Sequence, residues 1–196
     1  MRRQYIIMAM IILAAAIVCM KLLPFQKQTT KLADVRVVIN DSVIDGGDSY
    51  AVIDPVWWTA NIYDGPEAYE QSLEPFSLPQ RYVFAIHWYW AEVCNGGHDQ
   101  FYFNSTGIVW EDALKGFEAI GLSEFSEILR KSADLLGGTV SKVRFERQKQ
   151  LDRLKPDFSG LDEKLFDMDD SLDAALIDYI KKNRKDFYFD GIVCKP

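Results

Sequence analysis

Apolar residues fall along this chain in three rhythms. The first is an unbroken run: Tyr5 to Met20 holds sixteen residues without a charge. Lys21 can snorkel, which extends the run through Leu23, and nineteen residues at about 1.5 Å each span roughly 28 Å, near the thickness of a bilayer core. This predicts a membrane anchor or signal segment over residues 1–23, read as one transmembrane helix. Cleavage is the alternative, because Ala14-Ala15-Ala16 offers an A-x-A site, but it would leave Ile17-Val18-Cys19-Met20 exposed. The second rhythm is β-branched. Val35–Asn40 and Ser49–Ile53 flank the turn residues Asp45-Gly46-Gly47-Asp48 and predict a small N-terminal β-hairpin.

The third rhythm is helical and fills the rest. Asp54-Pro55 reads as a cap and first turn, and Asp64-Gly65-Pro66 as the break that follows. Glu67–Leu73 forms a short helix. Ser77 with Gln80 three residues later reads as a capping box for a helix over Leu78–Val93. That helix is apolar on more than one face (Val83, Phe84, Ile86, Trp88, Trp90), which places it at the centre of the fold. Trp110, Ala113, Leu114, Phe117 and Ile120 repeat at helical spacing and stop at Gly121. Leu122, Phe125, Ile128, Leu129, Ala133 and Leu136 do the same and stop at Gly137-Gly138. A last stripe, Leu172, Ala175, Leu176, Tyr179 and Ile180, follows a cap at Asp170 or Ser171 and ends in Lys181, Lys182 and Arg184, the charge a helix C-terminus favours. The fold class is therefore mainly α: a compact single helical domain over residues 35–196 with a small N-terminal hairpin, preceded by a linker at 24–34 and the transmembrane helix.

The densest local signal is Glu92–Gly107, E-V-C-N-G-G-H-D-Q-F-Y-F-N-S-T-G. Asn95, Gly96 and Gly97 end the long helix with residues that tolerate left-handed backbone. Gln100 and Asn104 lie four apart and share a helix face, and Gly107 closes the segment. Two readings compete. In one, Asn95, Gln100 and Asn104 pin the loop through hydrogen bonds. In the other, the loop with His98 and Asp99 walls the polar pocket of an enzyme of unknown reaction. Amides are poor acids and bases, so the first is preferred. His87, inside the long helix, reads as a hydrogen-bonded core residue, and no nucleophile is placed beside it.

The run N-G-G-H-D-Q-F-Y-F-N-S-T-G resembles the core of the DNA-mimic protein family first known from Neisseria, in which a helix ends in N-G-G and is followed by Q-F-x-x-N and a Gly. His98 stands where that family usually has an apolar residue. Trp110–Gly121 and the segment Leu161-Asp162-Glu163-Lys164-Leu165-Phe166 are similar to later elements of the family, and the resemblance spans about residues 55–190. It implies a domain that acts by binding a protein partner, without catalysis. It does not name the contact residues.

Charge bears on that implication. The net charge is −7, and outside residues 1–23 it is −10, 19 basic against 29 acidic residues. Such a domain repels nucleic acid, so no direct nucleic-acid binding is expected. Lys142–Lys155 carries +4 and Asp162–Asp178 carries −6. The bland reading is two solvated faces of opposite sign, able to pair with each other. The sharp one makes Asp162, Glu163, Asp167, Asp169, Asp170 and Asp173 an interaction surface imitating phosphates. Cys94 and Cys194 fit either one disulfide or inert buried thiols. No metal site and no cofactor is expected, since Cys94 and His98 alone are too few ligands. A homo-oligomer is compatible with the sequence. Placement is at the cell membrane through residues 5–23 as a single-pass protein, with the domain outside the cytoplasm by the short basic tail Arg2-Arg3, although the family resemblance favours the cytoplasm.

Overall fold

The computed structural model describes residues 32–168 and 171–195. Strand β1 (Ala33–Ile39) leads into helices α1 (Asp41–Asp45), α2 (Ser49–Thr59), α3 (Pro66–Leu73) and the long α4 (Leu78–Phe103). A 3₁₀ turn (Ser105–Val109) joins α4 to α5 (Trp110–Ile120). Then come α6 (Ser123–Leu135), α7 (Arg144–Leu154), α8 (Ser159–Phe166), α9 (Ser171–Lys182), α10 (Arg184–Phe187) and β2 (Phe189–Lys195).

Helix α4 is the spine. It packs against α2, α5, α7, α8, α10 and the 3₁₀ turn. Its start is fixed by a capping box: Gln80 N–H donates to the Ser77 hydroxyl at 3.3 Å and Ser77 N–H to Gln80 Oε1 at 3.0 Å. Ser77 also donates to the Asp186 carbonyl at 2.6 Å, which ties α10 to the same end. Around the spine sits an aromatic core. Tyr89 meets Phe101 and Phe117 edge-on at 5.2 and 5.5 Å, and Phe117 stacks on Phe125 at 5.2 Å. The expected glycine stops are present: Gly121 adopts φ +88° after α5, and Gly137 and Gly138 adopt +94° and +79° after α6.

The hairpin expectation is corrected. β1 pairs antiparallel with β2, from Ala33↔Lys195 to Ile39↔Phe189, so the sheet joins the first and last elements of the described domain. Ser49–Ile53 is helical. Asn40 accepts from Ser42 and Val43 N–H and caps α1, while Asp48 accepts from Tyr50 and Ala51 N–H and caps α2. Gly46-Gly47 thus joins two helices rather than two strands. Capping at Asp48 also moves the helix start six residues ahead of the expected Asp54, leaving Pro55 inside α2. On the sheet, Ile39 and Val193 face the core while Val38 and Ile192 are exposed.

The transmembrane expectation is corrected as well. The segment 5–23 lies outside the described residues, and no helix within them is long and apolar enough to cross a membrane. What stands is a mainly helical domain with one two-stranded sheet, Ala33–Lys195 forming one compact unit. The described residues give the single-pass, extracytoplasmic placement no support.

Candidate functional site

The helix expected to stop at Asn95 instead bends and resumes. Gly96 leaves the helical region (φ −159°, ψ 25°) and Gly97 takes φ +72°, ψ −178°, a backbone region open essentially only to glycine. Glycine is needed there for space too, because a Cβ on Gly97 would collide with the Asp162 carboxylate, and one on Gly96 with the Gln100 side chain. Asn95 itself is exposed.

Across this elbow the two arms of α4 are joined through Glu92, which the sequence did not single out. Its Oε2 accepts from Gln100 Nε2 at 2.7 Å and from Asn104 Nδ2 at 2.9 Å, and its Oε1 from the Thr106 hydroxyl at 2.8 Å. Bonds to an ionised acceptor are the stronger kind, about 1.5–3 kcal/mol each against about 1 for a neutral pair.

His98 points inward and is fully buried. Its backbone N–H and Nδ1 both reach Asp162 Oδ1, at 3.0 and 2.5 Å, and Nε2 lies 2.8 Å from the Tyr89 hydroxyl. With the proton on Nδ1 given to Asp162, Nε2 is left to accept from Tyr89. Tyr89 is buried, and burial holds its hydroxyl well above the usual range, so it stays a donor. Asp99, beside it in sequence, is exposed. The structure does not bring His98 and Asp99 together in a pocket.

Arg147 closes the far end. It has no exposure, and burial pushes it down to about 10 from the ordinary 12.5, with Arg144 adding a like charge. At neutral pH it is still a cation, with no carboxylate partner among the described residues. Its Nε donates to the Tyr102 carbonyl (2.6 Å), Nη2 to Asn104 (2.6 Å) and Nη1 to Ser141 and Lys142 (2.8 and 3.2 Å). These include carbonyls at the C-terminal end of α4, where a cation is favoured. A Cβ on Gly107 would lie 2.6 Å from Arg147 Nε.

His87, earlier in α4, is buried, with Ser49 Oγ 3.0 Å from its Nε2 and the Tyr50 ring 3.9 Å away. Burial pushes it down to about 4, an effect that Asp48 only partly opposes.

The acidic run divides. Asp162 belongs to the interior, whereas Glu163, Asp167 and Asp173 are exposed. Asp169 and Asp170 lie outside the described residues. No ion pair among the described residues joins the run to the basic segment 142–155. Lys142 pairs with Glu70 and Glu111, and Lys149 with Glu146. Cys94 and Cys194 are both free and exposed, which fits neither a disulfide nor buried thiols. No cluster suited to a metal ion occurs among the described residues.

The geometry centres on one segment, N-G-G with Gln100, Asn104 and Gly107, and that segment lies inside a family match. The family of DMP19-like proteins matches residues 74–183. The chain belongs to that family. The match is the DNA-mimic relationship that the motif resembles. It covers α4 to α9, elbow included, and leaves β1, α1–α3, α10 and β2 of this DMP19-like chain outside. No curated protein and no solved structure matches the chain.

Proposed function

We propose that this DMP19-like domain is a protein-interaction module that presents exposed carboxylates to a basic surface on its partner. The supporting observation is the contrast inside the matched segment: Gln100, Asn104, His98 and the elbow glycines are engaged with the protein itself, while Glu163, Asp167 and Asp173 are exposed to solvent. In this reading Gln100, Asn104 and the glycines are fasteners that set the angle of α4, and recognition belongs to the outer acids. Complementary charge speeds encounter and makes binding salt-sensitive. A partner that uses the same basic surface for DNA would lose DNA on binding this domain. Catalysis by His98 and Asp99 is not proposed, since the first is enclosed and the second faces solvent.

Affinity capture followed by competition with duplex DNA tests the reading. The expected result is a basic partner released both by DNA and by salt, and not captured by the Glu163→Lys/Asp167→Lys/Asp173→Lys variant. Partners indifferent to DNA, to salt and to the triple reversal would refute mimicry.

A further inference from the structure

A cleft of about 250 Å³ lies beside the elbow, and His98 is not among the residues that line it. It is bounded by Tyr63, by Trp88 and Glu92 of α4, by Asn104 and Thr106 past the elbow, and by Arg144 at the start of α7. Three observations about it are independent of the acidic surface. The first concerns charge. Glu92 and Arg144 line the same small cavity yet form no ion pair with each other, and neither joins any other ion pair among the described residues. Glu92 retains acceptor capacity: a carboxylate has about four lone-pair sites and three are taken. Arg144 gives Nε to the Phe103 carbonyl at 3.1 Å, which leaves both Nη groups as donors.

The second observation is an unmet donor, because the Trp88 indole Nε1 is buried without a hydrogen-bond partner. The third is the wall. Trp88 and Tyr63 supply aromatic surface, and Tyr63 is 74% exposed at the rim. The volume lies just below the roughly 300–1,000 Å³ of pockets for drug-sized ligands, so the occupant must be small.

We propose that this cleft binds a small zwitterion of the free α-amino acid class, with its ammonium at Glu92, its carboxylate at Arg144 and its side chain along Trp88 and Tyr63. An anion alone would face the Glu92 carboxylate, and a cation alone would face Arg144. A molecule carrying both charges, a few bonds apart, offsets each. This goes beyond the protein-interaction reading and uses none of its exposed acids.

The test is thermal denaturation of the full chain with each proteinogenic α-amino acid, then with the N-acetyl and methyl-ester forms of any that act. The expected result is a rise of about 4 °C at a concentration about ten times the dissociation constant, with both blocked forms inactive. Arg144→Ala changes an exposed side chain, leaves the fold intact and is expected to weaken binding at least tenfold. The proposal is overturned if no free amino acid raises the melting temperature, if a blocked form acts as well as the free one, or if Arg144→Ala leaves the rise unchanged. Partner capture by the same Arg144→Ala protein is expected to be normal, so the two readings can fail separately.

Discussion

Helix α4 and the C-terminal helices α8 and α9 treat polar groups in opposite ways. In and around α4 a set of polar side chains is turned inward and matched: Ser49 with His87, Tyr89 with His98, three donors with Glu92, four carbonyls with Arg147. On α8 and α9, Glu163, Asp173 and Asp178 stand exposed. Asp162 marks the border, first in the acidic run by sequence but part of the interior in space. The difference teaches that a carboxylate's place in a charge run does not say whether it is available. A buried polar group must be matched or the fold loses its desolvation energy, whereas a solvated acid contributes little to stability. Changes along α4 should therefore alter stability, and changes on α8 and α9 should alter recognition.

The largest effect is expected at Arg147. Replacement by Ala leaves four carbonyls without their donor and opens a cavity, at a cost of about 3–5 kcal/mol in urea denaturation. Arg147→Lys should recover little of this, because an ammonium cannot span the fork of donors. A loss below about 1 kcal/mol would mean that water serves these carbonyls and that the interior of α4 is wetter than its burial implies. Gly97→Ala comes next, at about 2–4 kcal/mol, from backbone strain together with displacement of Asp162. Gly47→Ala is the control. Its φ is also positive, +71°, but nothing lies within 4 Å of its added Cβ, so only the strain remains. Equal costs at the two sites would remove Asp162 from the account.

The third effect depends on pH. His87 titrates near 4 in the fold against 6.5 when unfolded. The unfolded chain therefore binds this proton more readily. The stability from neutral His87 is complete above pH 6.5 and is lost as pH falls towards 4, by about 2 kcal/mol between pH 7 and pH 5. His87→Gln should flatten that part of the wild-type curve, and an unchanged slope would assign acid sensitivity to other groups.

These three sites also show what a reader of the sequence could see. Breaks and caps were legible because they are local: Ser77 with Gln80, Gly121, Gly137-Gly138 and the interruption at Asn95-Gly96-Gly97 each need only a few neighbouring residues. The family was legible for the same reason, since N-G-G and Q-F-x-x-N lie within ten residues. Pairings across the chain were not. β1 finds its partner some 150 residues away at β2, and apolar Ser49–Ile53 matched a strand pattern until the Asp48 cap made it helical. Glu92, Tyr89 and Arg147 carry no local signal, because each looks ordinary in its own stretch, and Asp162 reads as one more acid of the run rather than as the partner of His98. Gln100 and Asn104 do signal that polar partners are required, but Asp99 is the nearer acid in sequence, so the choice of Glu92, eight and twelve residues earlier, is fixed only by the elbow. The helix over 5–23 rests on hydropathy alone, and no helix of the described residues is long and apolar enough to cross a membrane.

The smallest effect on stability is expected on the acidic face, and there it carries the most meaning. Glu163 and Asp173 are exposed, so Glu163→Lys with Asp173→Lys should change unfolding free energy by less than about 0.5 kcal/mol. The same pair shifts the surface charge by four units and should weaken a basic partner's association, mainly by slowing encounter, with the loss greatest at low salt. Kinetics at two ionic strengths would show it. If the double variant binds as the parent does while Gly97→Ala, refolded and intact, does not, recognition lies at the elbow. The division between an inward-matched α4 and an outward-facing α8–α9 would then have to be redrawn, with the fasteners themselves as the contact.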